Sequence, residues 1–338
     1  MRVALDVNQQ SLRDAAATML AATCTTADVR AAWSSATGVS RDRWRQLADL
    51  GLTSVMMPVE FGGLGATELE LMPLLEETGY VALPEPIVDA AVAASLLAEA
   101  APTLAARWLP ALAAGDIIVS LALPDTPYVG HVDAADVIVI VDNRGIQVVE
   151  GADVVRVRQP SIDGTRRLGR IGPPDDQPVA DNGAATARAI DRATLYTAAQ
   201  LLGLGRRCLD LAVAYARERH QFGRPIGSYQ ALKHRMADDW TAIEFARPMV
   251  WRAAWALARG LPDATLHVSA AKAAAGDAAS AAARTAVQVH GAMGYTFECD
   301  VQLFLKRILA LAAVHGDARA HRRRLADVLR TRDIARIP

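Results

Sequence analysis

The sequence predicts a mainly α protein with a small β domain in its middle, and three observations carry that prediction. Apolar residues recur at helical spacing through residues 9–115. From Asp116 short runs rich in β-branched residues replace that pattern. From Ala184 onward four or five long alanine- and leucine-rich segments follow, as in a helical bundle. The expected division is an N-terminal helical domain over 1–115, an abbreviated β domain over 116–183 and a C-terminal helical bundle over 184–338.

Taken in order, Leu12, Ala15 and Met19 mark a first helical stretch, Trp44, Leu47 and Leu50 a second, and Leu69, Met72 and Leu75 a third. Between the last two, Pro58 to Gly65 (PVEFGGLG) holds three glycines and a proline, which suits a tight turn with positive backbone dihedrals. Strands are expected at IIVSLAL (117–123), VIVIV (137–141), GIQVV (145–149) and VVRV (154–157). Asp142-Asn143-Arg144-Gly145 reads as a hairpin with glycine at the left-handed position, and the Pro/Asp/Gly cluster at 172–183 reads as an exit linker. Helices are then expected at 188–220, 228–259, 264–290, 298–314 and 317–332.

Composition excludes several classes. Of 338 residues 52% are hydrophobic and 22% charged, which speaks for packed cores and against disorder. With 36 Lys+Arg against 37 Asp+Glu there is no basic field to gather nucleic acid. Cys24, Cys208 and Cys299 lie 184 and 91 residues apart, too far for a metal pair and odd in number for a disulfide framework. A reduced, cytoplasmic protein without a metal site is expected. The start, MRVALDVNQQSLRDAA, places Asp6, Arg13 and Asp14 where an export signal needs an unbroken apolar core. The alanine-rich stretch 268–287 is interrupted by Lys272, Asp277 and Arg284, so no membrane segment is expected.

Two junctions in the bundle carry candidate chemistry. RERHQFGRPIGSYQ (217–230) passes from one long helix to the next, with Arg219, His220 and Arg224 around Phe222. Arginine donors and helix-terminal amides suit a pyrophosphate, and the plainer reading is a helical hairpin with a solvated basic corner. QVHGAMGY (288–295) closes the alanine-rich helix with Gly291 and Gly294, which let a ligand approach backbone or simply cap the helix. His290 on its own reads as a packed, hydrogen-bonded histidine.

Together these segments resemble the acyl-CoA dehydrogenase family. PVEFGGLG (58–65) followed by EETGYVALPEP (76–86) is similar to the family's N-terminal signature. RERHQFGRPIGSYQALKHRMADDW (217–240) and QVHGAMGYTFECDVQLFLKR (288–307) resemble its two bundle segments, in the right order. The resemblance implies an acyl-CoA dehydrogenase-like fold and a flavoprotein that removes two hydrogens from the α and β carbons of an acyl-CoA thioester. A carboxylate takes the α proton, FAD accepts the β hydride, and hydrogen bonds to the thioester carbonyl stabilise the enolate. It further implies that Arg219, Phe222, Gln230, Gln288, Gly291 and Gly294 bind the nucleotide part of FAD across a subunit interface. Among the partners the resemblance brings with it is an electron-transfer flavoprotein, with the acceptor itself left open by the sequence.

The sequence departs from the family pattern in three places. The flavin-contacting segment, a Thr-Glu-Pro followed by Gly-Ser in the family, corresponds here to LALPDTPYVGHVDAAD (121–136), where Pro124 and Gly130 are the faint matches. The following aromatic-Ile-Thr-Asn type segment, which covers the flavin ring, has no counterpart. At the usual position of the catalytic base, a Glu-Gly-Thr-like triplet, the chain reads His315-Gly316-Asp317; the alternative family position falls near Ala193, after Asp191 and Arg192. His315 is a candidate base, with Asp317 or Asp191 as others if the register differs. A single cause covers the missing base and the missing flavin clamp: a paralogous partner supplies both. The chain then resembles the shorter subunit of the heteromeric bacterial dehydrogenases that act on steroid side-chain CoA thioesters, with two copies of each chain. The rival readings are a self-sufficient homo-oligomer using His315 and a non-catalytic scaffold. The basic run Arg319, His321, Arg322, Arg323, Arg324 reads as a solvated helix end or as a contact for a phosphate of FAD or CoA.

Overall fold

The computed structural model describes residues 5–172 and 183–331, which form two compact units. The linker expected at 172–183 lies, apart from its two end residues, outside the described residues.

The first unit holds Asp6–Leu74 and Leu83–Ala193. Its helices are α1 (Val7–Thr23), α2 (Thr26–Ser34), α3 (Arg41–Asp49), the first half of α4 (Glu68–Tyr80), α5 (Ile87–Ala100), α6 (Pro102–Ala113) and the first turns of α7 (Ala184–Glu218). Asp6 and Gln9 form a capping box that starts α1, and Ser40 caps α3. Between α3 and α4 the glycine-rich segment makes a 3-10 turn over Val59–Phe61, with Gly62 at φ +87°. Helix α5 is buried from Ala90 through Leu97, so it carries no amphipathic stripe.

Among the described residues, five strands complete this unit: β1 (Val119–Ala122), β2 (Val137–Asp142), β3 (Gly145–Glu150), β4 (Arg156–Arg158) and β5 (Gly169–Ile171). β1 pairs parallel to β2, and β2 pairs antiparallel to β3 through the expected hairpin, with Asp142 opposite Gly145. β4 pairs with β5, a three-residue strand too short to leave a pattern in the sequence. Val129, Val132, Ala135, Ile138, Ile140 and Val149 form one apolar core of the β region. The helices are fastened to it by polar bonds: Trp44 Nε1 donates to the Ile117 carbonyl at 2.8 Å. Arg43 makes a buried bidentate pair with Glu85 at 2.8 and 2.9 Å, and its Nη1 donates to the Thr23 carbonyl.

The second unit holds Leu75–Ala82, the second half of α4, and everything from Thr194. Beyond α7 come a two-rung hairpin of β6 (His220–Gln221) and β7 (Arg224–Pro225), then α8 (Gln230–Ala258), α9 (Ala264–His290), α10 (Val301–Ala313) and α11 (Ala318–Thr331). α8, α10 and α11 all pack on α9. Its many buried alanines, among them Ala271, Ala275, Ala279, Ala282 and Ala286, let neighbours approach from several sides at once. α4 meets α7 through facing glycines. A Cβ on Gly79 would lie 2.1 Å from the Gln200 carbonyl oxygen, and one on Gly203 would lie 1.9 Å from that of Glu76. Around this contact Arg206 pairs with Glu76 and Glu77, Arg247 with Glu76, and the Tyr80 hydroxyl donates to Asp210. α8 leaves Trp240, Phe245 and Met249 exposed.

Candidate functional site

The first junction is a rigid hairpin. Phe222 and Gly223 both have positive φ, +53° and +80°, which is the type I′ combination that suits Asn-Gly and strains a bulky aromatic. The loop is nonetheless well fixed: Ile226 N–H donates to the Arg219 carbonyl at 2.8 Å, and the Tyr229 hydroxyl to the Gln221 carbonyl at 3.3 Å. Arg224 stacks over the Tyr229 ring at 4.0 Å, and Phe222 meets that ring edge-on at 6.4 Å. Phe222 itself is 91% exposed. Arg219 and Gln230 are exposed beside it.

The second junction follows α9. Gly291, at φ +61° and ψ −139°, takes a conformation open essentially to glycine alone, and no atom stands within 4 Å of where its Cβ would be. Gly294 is buried, and a Cβ there would lie 2.7 Å from the Val287 carbonyl oxygen. Gln288 is exposed. His290 stacks on Tyr215 with ring centroids 4.3 Å apart, and its Nδ1 lies 2.8 Å from the Ala286 carbonyl oxygen. That stack ties the end of α7 to the end of α9, so both junctions stand at one end of the second unit. His290 has the packing role read from the sequence.

These groups suit the nucleotide end of a dinucleotide: a guanidinium, two amides, an open glycine backbone and an aromatic face. The flavin-ring end is different. Segment 121–136 is stitched into its own unit, with the N–H groups of Val129, His131 and Val132 donating to the carbonyls of Gly169, Arg166 and Arg167 at 2.9, 2.6 and 3.2 Å. Those three donors are already engaged within the unit and are not available to a flavin ring. Within it His131 Nδ1 lies 4.0 Å from an Asp89 carboxylate oxygen, and burial pushes the Asp89 carboxyl up to about 7.

At the candidate base position α10 ends and the chain turns into α11. His315 is half-buried at φ +57°. Asp317 caps α11, accepting the Ala320 N–H at 2.8 Å, a bond that holds its carboxyl below the usual range. Asp191 is buried in the first unit, beside Arg192, which pairs with Glu68 and Glu99. The basic run divides: Arg322 pairs with Asp277, while His321 is buried and donates from Nε2 to the His315 carbonyl at 3.1 Å. Lys272, which in the sequence is one of the charges interrupting an alanine-rich helix, is buried with its ammonium against the same turn.

Residues 6–116 match the family description "Acyl-CoA dehydrogenase, N-terminal domain", and residues 183–329 match "Acyl-CoA dehydrogenase, C-terminal domain". The chain is 36% identical over 313 residues to acyl-CoA dehydrogenase IpdE2 of Mycobacterium tuberculosis, covering 92% of each chain. The chain belongs to the acyl-CoA dehydrogenase family. Its fold superposes on the ChsE4-ChsE5 complex from Mycobacterium tuberculosis with a TM-score of 0.88 at 25% identity, over 100% of both chains. It also superposes on the Tcur3481-Tcur3483 steroid acyl-CoA dehydrogenase with a TM-score of 0.86 at 24% identity, over 96% of this chain and 98% of that one. Acyl-CoA dehydrogenases are FAD-dependent oxidoreductases. Among the described residues no helix is long and apolar enough to cross a membrane.

Proposed function

We propose that this chain is one subunit of a hetero-oligomeric, cytoplasmic acyl-CoA dehydrogenase that desaturates the α and β carbons of an acyl-CoA thioester. Its paralogous partner supplies the catalytic carboxylate and the flavin-ring seat. This chain completes the partner's cofactor site from across the interface with Arg219, Phe222, Gln230, Gln288, Gly291 and Gly294. FAD, when bound, supplies the hydride acceptor at the substrate β carbon. Arg219 neutralises phosphate charge, Gln230 and Gln288 donate or accept at the nucleotide, and the bare backbone at Gly291 admits it closely. Phe222 offers a face for an aromatic base.

The observation that carries this reading is Phe222: a large apolar ring held outward on a strained turn does nothing for its own chain's core and becomes useful when a second body covers it. A polycyclic, steroid-like acyl group is the proposed substrate class, in line with the steroid acyl-CoA dehydrogenase that shares the fold. An electron-transfer flavoprotein is the proposed acceptor. Co-expression with a full-length family member that carries the catalytic glutamate tests the scheme. The pair should be yellow and active, the single chain colourless and inactive, and Arg219→Gln should lower FAD content in the pair. A yellow, active single chain that loses about 10²–10⁴-fold in rate on His315→Ala would refute the heteromer and establish His315 as the base. A colourless, inactive pair would mark a scaffold.

A further inference from the structure

Lys272 lies in the middle of α9, 1% exposed, and its ammonium donates to three backbone carbonyls: Ala312 at 3.1 Å, Val314 at 2.9 Å and Gly316 at 3.0 Å. An ammonium has three donors and no acceptor, so the count matches. The intervening carbonyl, that of His315, turns the other way and accepts from buried His321. Gly316, at φ +97°, leaves room for this, since a Cβ there would lie 3.1 Å from His321 Nε2. The turn after α10 is thus pinned at four carbonyls by two side chains from other helices. An ordinary helix end needs none of this, because water or a capping glycine satisfies its last carbonyls. Burying a cation is costly without such compensation, so the lysine and the turn define each other's geometry. The arrangement holds His315 at a left-handed φ that non-glycine residues avoid.

We infer that Lys272 is a positioning residue: its buried ammonium fixes the 312–316 backbone and so sets where the side chain at 315 stands beside the acyl group. The inference rests on the resemblance that sets residue 315 at the family's base position: in the proposed heteromer this turn lines the acyl group while the partner supplies the base.

The test uses the assembled, full-length enzyme with Lys272→Met, which keeps length and removes charge, and Lys272→Arg, which keeps charge and changes donor geometry. Backbone deuterium exchange and histidine C2-proton exchange are read by mass spectrometry. In the Met variant, peptides covering 312–317 should exchange about tenfold faster or more while α1–α3 are unchanged. His321 should titrate higher once Lys272 is gone and Arg324 alone remains beside it; because hydration of the imidazole would also raise it, the Arg variant, which loosens the turn and keeps the charge, separates the two causes. In the Arg variant His321 should keep its low value, with faster exchange confined to the turn. Unchanged exchange in the turn, an unmoved His321 in the Met variant, or equal acceleration everywhere in the Arg variant would each overturn the inference. Octanoyl-CoA, with binding followed by flavin absorbance, separates the two readings. If it leaves C2 exchange at His315 unaltered while the Lys272 effects persist, the placement of the turn beside substrate fails and the lysine's hold on the turn stands.

Discussion

Gly203→Ala tests the closest helix contact in the second unit. The new methyl would start 1.9 Å from the Glu76 carbonyl oxygen and 2.7 Å from the Tyr80 nitrogen, against the roughly 3.3–3.6 Å that carbon and oxygen need. Both obstacles are backbone of α4, so no side chain can swing aside and the helices must part by more than about 1 Å. Overpacking of this kind costs about 1–3 kcal/mol. The separation also stretches the Arg206–Glu76 and Arg206–Glu77 pairs, now 3.2 and 2.9 Å, and charge-assisted bonds carry about 1.5–3 kcal/mol each. Against this, alanine gains about 1 kcal/mol of helix propensity over glycine. The expected net loss is about 2–4 kcal/mol. Gly276→Ala in α9 is the matched control: the propensity gain is the same, nothing stands within 4 Å of the new Cβ, and stability should rise by up to about 1 kcal/mol. Urea midpoints of the two variants and the wild type in the same assembly decide the matter. A Gly203→Ala protein as stable as Gly276→Ala would show that the backbone contact between α4 and α7 is not rigid.

The other expectations concern charge and the hairpin. Burial, then Lys272 and Arg324, push the His321 imidazole down to about 4. The folded state refuses a proton that the unfolded chain takes near 6.5, so stability is full above that pH and falls by about 3 kcal/mol as pH drops through about 4. Asp89 runs the other way: burial raises its carboxyl from 3.8 to about 7, so its contribution is complete below 3.8 and disappears as pH rises through about 7. His321→Gln should flatten the acid limb of a stability profile and Asp89→Asn the alkaline limb; three parallel curves would contradict both assignments. Glu85→Ala leaves the Arg43 guanidinium buried without its carboxylate and should cost about 3–5 kcal/mol, more than a joint Arg43→Met, Glu85→Leu replacement, as denaturant midpoints will report. Phe222→Asn places Asn-Gly in a turn built for it and should raise stability by about 1 kcal/mol while lowering flavin retention. Equal flavin content would remove Phe222 from the cofactor surface.

Helices were legible where one face is apolar. The spacing around Trp44 and Leu47 reads directly as α3, because burial on a defined side imposes a period, and α9 reads from its alanine-rich composition. α5, buried all round, has no such period, and β5 is three residues long. At the candidate site the junction residues were legible because glycine and proline punctuate helix ends chemically. Lys272 was not: its partners are backbone carbonyls more than 35 residues away, which carry no side-chain identity for a pattern to register. His321 was hidden for the opposite reason, inside a run of arginines whose charge suggested solvent. Local charge says little about which side of a helix faces inward.

The exposed side chains of Trp240 and Phe245 on α8 have a practical corollary. Rings kept wet in this way set a ceiling on how concentrated a solitary copy can become, and sulfate or phosphate salts, by sharpening water's aversion to apolar surface, lower that ceiling further. In a cell the same exposed rings are a handle for chaperones and proteases, so the abundance of this polypeptide is governed by whatever shields α8 as much as by its own rate of synthesis.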